Sequence, residues 1–134
     1  MEHLIPDLGS NLFEHQYSHY GGNATLLPAF TKTVDWKIRR FADLLRRMGS
    51  TASPTGESLL SRSAVVAFSE MGDSNHNADN IACITAGGRF KRPGQSHDVG
   101  GVPLANVWLT ALRAVGVSSV PSFGNSSGTI YELL

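Results

Sequence analysis

SRSAVVAFSEMGDSNHNADNIACITAGG, residues 61–88, decides the fold, because it sets two short apolar runs on either side of a polar loop. Neither run, 64–68 or 81–86, alternates apolar with polar residues, and the second ends at Gly87-Gly88. Such runs suit strands buried on both faces, as in a parallel sheet. In open α/β sheets the ligand site lies beyond the carboxyl ends of the strands, and SEMGDSNH follows the first run directly.

Working outward, Leu27, Phe30, Val34, Ile38, Phe41, Leu45 and Met48 recur every three or four residues and predict an amphipathic helix over 26–48. Residues 49–58, GSTASPTGES, read as a surface connection. Downstream, Pro103 opens and Gly116 closes a helix whose apolar positions are Leu104, Val107, Trp108, Ala111 and Val115. Upstream, 12–19 suits two helical turns stopped by Gly21-Gly22, and 1–11 reads as an irregular lead-in. Helices alternating with apolar strands indicate a single α/β domain over 12–134, a parallel-sheet sandwich.

With 134 residues, a single domain is the expectation. Eleven basic residues balance eleven acidic ones, so the chain shows no electrostatic footprint for nucleic acid or an anionic membrane. No apolar stretch reaches the length of a membrane span, and Met1-Glu2-His3-Leu4 shows no signal-peptide pattern. The single cysteine, Cys83, excludes an intrachain disulfide, and its apolar context predicts a buried structural thiol. Arg89, Lys91 and Arg92 suit a phosphate or sulfate contact, with a solvated turn the favoured reading, and GGRFKRPG lacks the Gly-Lys-Ser/Thr ending of a phosphate-binding loop.

Two polar sets carry the candidate chemistry: His15, Ser18 and His19 in FEHQYSHYGG, and Glu70, Asp73 and His76 in the loop after the first strand. Imidazole and carboxylate are the usual ligands of zinc and related divalent cations, and histidines four apart share a helix face. Each set also has a plainer reading. Asp73, Ser74 and Asn75 can form a turn whose side chains bond nearby backbone, and His15 and His19 can be solvated at a helix end. Ser18 does not face its neighbour His19 on a helix, which favours a structural hydroxyl over a nucleophile. His97-Asp98, in a glycine-rich loop, forms a second-tier candidate.

FEHQYSHYGG resembles the signature of a family of uncharacterised bacterial proteins named for an HxxSHH motif; His15, Ser18 and His19 match, and Tyr20 replaces the last histidine. The likeness continues through WKIRRFADLL, LLSRSAVVAFSEMGDSNHNADNIACITAGG, VPLANVWLTALRAVGV and FGNSSG, and so covers most of the chain. That family is similar in turn to the alkaline phosphatase and sulfatase superfamily, with one or two divalent metals at the strand ends of a parallel-sheet fold. The resemblance implies His15, His19, Glu70 and His76 as ligands of a divalent metal such as zinc, with Asp73 in support. A histidine stands where that superfamily often has aspartate at the first position, and Met71 follows Glu70 where histidine is common.

The superfamily's nucleophile comes from the N-terminal half of its fold, and this chain resembles the C-terminal part. The implied protein is a metal-binding fragment of a hydrolase-like domain, inactive alone, whose longer relatives are exported. It would associate with the missing half or with itself. The competing expectation is a non-catalytic binding or assembly module of an exported protein.

Overall fold

The computed structural model describes residues 13–134, so the lead-in expected over 1–11 lies outside the described residues. The chain forms helix α1 (Glu14–Ser18), helix α2 (Leu26–Ser50), strands β1 (Val65–Phe68) and β2 (Cys83–Ala86), and helix α3 (Ala105–Ala114). Short 3-10 turns lie at Leu60–Arg62 and Tyr131–Leu133. This is a small mixed α/β protein whose described sheet has two strands. Its contacts divide it into two compact units, Met1–Leu44 with Glu70–Asp79, and Leu45–Ser69 with Asn80–Leu134.

The two strands pair antiparallel, with Val65 opposite Ala86 and Phe68 opposite Cys83, which corrects the expected parallel sheet. Parallel neighbours need a crossover, usually a helix, whereas residues 69–82 contain none and lead straight back. Ser69 closes the base of the connection: its N–H donates to Ala82 O, and its Oγ accepts the Ala82 N–H. Cys83 is exposed, which corrects the expected buried thiol. A two-stranded sheet has too little cover for an apolar run to imply burial; partial desolvation still pushes the thiol pKa up.

In the first unit, Gln16 Oε1 accepts the Phe13 N–H at the start of α1, and Tyr17 is buried. Gly21 and Gly22 take positive φ of 48° and 80° and turn the chain. Asn23 Oδ1 then accepts the N–H groups of Thr25 and Leu26, satisfying donors at the entry to α2. Tyr20 packs on Phe30, with ring centroids 5.1 Å apart, and Lys37 pairs with Glu14. The apolar stripe of α2 is only partly covered: Phe30 is half-buried and Thr33 fully buried, whereas Leu27, Val34 and Ile38 are exposed.

In the second unit, Phe68 of β1 stands edge-on to Trp108 of α3, at 5.3 Å between centroids. Gly87 and Gly88 pass so close to Ser63 and Ser61 that a Cβ would fall 2.1 and 2.4 Å from their carbonyl oxygens. The buried face of α3 combines Val107 and Leu109 with the polar Asn106 and Thr110. Thr110 Oγ1 donates to Asn106 O at 2.6 Å and accepts the buried Ile130 N–H at 2.8 Å. Asn106 likewise accepts the Ser127 N–H at 2.9 Å and donates to Ser127 Oγ at 3.2 Å. Thus two polar side chains pin the C-terminal segment to the helix.

Removing the Thr110 hydroxyl leaves the Ile130 donor buried without a partner, a loss of about 1–3 kcal/mol. Thr110→Val should therefore lower the denaturant midpoint of unfolding, whereas Thr110→Ser, which keeps the hydroxyl, should recover most of it.

Candidate metal centre

The connection between the strands is folded around one carboxylate. Asp73 Oδ1 accepts the N–H of Asn75 at 2.7 Å and of Asn77 at 3.2 Å, while Oδ2 accepts the Asn77 side-chain amide at 2.5 Å. Gly72 N–H donates to Asn77 O at 2.7 Å and closes the loop. Only glycine fits there, since a Cβ at 72 would lie 1.8 Å from Asp79 O. Within this frame His76 is held at φ 64°, a left-handed conformation uncommon outside glycine.

The loop brings its histidine to His15 on α1 and to His19 at the C-cap of that helix. The rings of His19 and His76 are 4.7 Å apart, those of His15 and His19 are 4.6 Å apart, and those of His15 and His76 are 6.3 Å apart. All three belong to the first compact unit and are exposed. Two segments more than fifty residues apart in sequence therefore present three imidazoles together.

The nitrogens of this cluster have defined roles. His19 Nδ1 lies 3.1 Å from Ser74 O. A carbonyl only accepts, so Nδ1 carries the proton and Nε2 of a neutral ring keeps its lone pair. That Nε2 is 3.1 Å from His15 Nε2, which donates to it in this arrangement. Two nitrogens on one tetrahedral zinc, each at 2.0–2.1 Å, stand about 3.3 Å apart. The His15–His19 pair fits that spacing once the His15 proton moves to Nδ1 or to solvent, and the Ser74 carbonyl is the outer partner that metal-bound imidazoles commonly have.

The third ring is adjacent without being focused on the same point. Among the described residues, no group of three or more His, Cys, Asp or Glu is set to hold a metal ion as it stands. His76 needs a change of side-chain orientation, for which its exposure leaves room. Glu70 lies in the same unit, is exposed, and has no hydrogen bond or ion pair among the described residues.

The remaining sequence candidates divide cleanly. Asp73 is engaged by its own loop, so it shapes the segment that carries His76. Ser18 Oγ donates to His15 O at 2.8 Å, the structural role expected of it. His97 and Asp98 fall in the second unit. There His97 Nε2 is buried with no hydrogen-bond partner among the described residues, and Asp98 Oδ1 accepts the Gly100 N–H. The exposed turn of Arg89, Lys91 and Arg92 includes a backbone bond from Lys91 N–H to Leu133 O. Ser74 was missed as a contributor because it acts through its carbonyl, which residue type does not reveal.

No family model matches the chain, and neither a curated protein nor a solved structure does.

Hydrogen bonds from Asn75 and Asn77 hold the Asp73 carboxyl below its ordinary value of 3.8. A depressed carboxylate stabilises the loop fully above that ordinary value, and the contribution vanishes as pH falls through the lowered one. Amide resonances of Asn75 and Asn77 should therefore report loop opening only on strong acidification, and Asp73→Ala should show the open spectrum already at neutral pH.

Proposed function

We propose that this chain is a divalent-metal-binding α/β domain, holding the cation and supplying no nucleophile of its own. The observation that supports the reading is the 3.1 Å contact between His15 Nε2 and His19 Nε2, with the His76 ring packed against His19. Imidazole is a borderline ligand suited to zinc, copper and nickel, and three neutral rings leave the charge of a divalent cation uncompensated. Glu70, at the start of the loop that carries His76, is the proposed carboxylate ligand completing the set.

In this reading the chain orients the ligands as follows. His15 on α1 and His19 at its C-cap present adjacent nitrogens, Ser74 O sets the tautomer of His19, and Asp73 with Gly72 shapes the loop that delivers His76. A resident cation would act as a Lewis acid toward a bound oxygen ligand. With no nucleophile assigned in the chain, generic phosphate and sulfate esters should be hydrolysed no faster by the metal-loaded protein than by buffer with the same metal.

Calorimetric titration of the intact chain with zinc chloride tests the proposal. One equivalent should bind, and His15→Ala, His19→Ala and His76→Ala should each weaken affinity by about tenfold or more, the scale on which even outer-shell losses register. Glu70→Ala separates a three-histidine set from one that includes the carboxylate. Equal affinity in the wild type and the three histidine variants would refute the assignment.

A further inference from the structure

We infer that the uncovered face of α2 is a dimer interface, against which a second copy of this chain lays its own α2 antiparallel. Leu27, Val34 and Ile38, aligned along one side of the helix, are 42, 41 and 44 % exposed. With Thr31, Phe41 and Leu45 they fall within about 40° of one line down the helix surface. The line beside it is occupied: Phe30 packs on Tyr20, Thr33 is buried and Lys37 pairs with Glu14. The segment before α2 thus takes one edge of the apolar stripe and leaves its centre open.

The spacing of the open residues selects another helix as their cover. Leu27, Val34 and Phe41 repeat every seven residues, and so do Thr31, Ile38 and Leu45, which is the period of a seam that keeps facing a partner helix. α2 is continuous throughout, so the seam runs about 27 Å. The residues also match themselves in reverse. Leu27 and Leu45 stand nine positions either side of residue 36, Thr31 and Phe41 five, and Val34 and Ile38 two. A two-fold axis across α2 at that level sets Leu27 on Leu45, Thr31 on Phe41 and Val34 on Ile38 of the second copy, and each contact occurs twice, as an isologous interface requires. Small Thr31 then faces large Phe41, so the layers fill evenly, whereas a parallel pair would stack Phe41 on Phe41 and Thr31 on Thr31.

The edges of the seam raise no charge barrier. Asp35 is paired with Arg39 at 2.7 Å and Lys37 with Glu14, so each copy brings these flanking charges already neutralised. Along the Asp35 edge the two-fold axis gives the order base, acid, acid, base. One helix-on-helix seam is small for a specific interface, so the dimer is reversible and concentration-dependent.

Analytical ultracentrifugation of the full chain over a concentration series tests this, with a chelator present so that no metal bridges the exposed histidines of two copies. The apparent mass should rise from one chain toward two. Ile38→Glu, which sets a carboxylate in the central layer, should hold it at one chain at every concentration, and Val34→Lys should do the same; circular dichroism checks that both variants keep their helices. Direction is read by disulfide trapping in a Cys83→Ser background, because Cys83 is itself exposed. Val34→Cys and Ile38→Cys chains mixed together should cross-link several-fold faster than either variant alone. A monomer throughout would overturn the interface, as would a dimer that both charged variants leave intact, or trapping that is faster within each cysteine variant than between them. Dimerisation that appears only after deletion of residues 1–11 would assign the face to that segment instead.

Discussion

The Asp73 carboxylate accepts three hydrogen bonds from residues two and four positions further on, and the placement of the histidine cluster depends on it. Those bonds turn the chain between the strands back on itself, hold His76 in its left-handed conformation and present the Ser74 carbonyl to His19. Exposed hydrogen bonds are individually weak, of order 1 kcal/mol. Here they act together with a steric constraint, the glycine at 72, whose missing side chain makes room for the Asp79 carbonyl. The imidazole cluster is therefore a result of loop geometry as much as of helix periodicity.

Much of the element pattern was legible because local signals and packing agree. The three-and-four spacing of α2, the Pro103 and Gly116 that bracket α3, and the apolar runs of β1 and β2 each fixed an element to within a few residues. Strand pairing was not legible, because an unalternating run of four residues reports low polarity and says nothing of its partner's direction. The same ambiguity misplaced Cys83, which lies in an apolar run and is exposed.

The candidate site shows a similar division. Four-residue spacing on a helix was enough to pair His15 with His19, and the strand-then-loop order drew attention to His76. Whether Asp73 was a ligand or a turn residue could not be settled from its type, since both roles need a carboxylate oxygen. Its hydrogen bonds to Asn75 and Asn77 show the turn role. The Asn106–Thr110 network gave no functional signal either, because a polar residue within an apolar helix face is read as an interruption until its distant backbone partners, Ser127 and Ile130, are in view.

The positive φ at His76 has a stereochemical consequence. A left-handed backbone is the mirror image of the one that L-residues prefer, so the enantiomer of histidine would occupy that position without the steric penalty. Cys83 lies seven residues downstream, a natural junction for joining a synthetic N-terminal segment to the remainder by thioester chemistry. A semisynthetic protein with D-histidine at position 76 would keep an imidazole in the loop and remove its backbone strain, separating the side chain's chemistry from the conformational cost of presenting it.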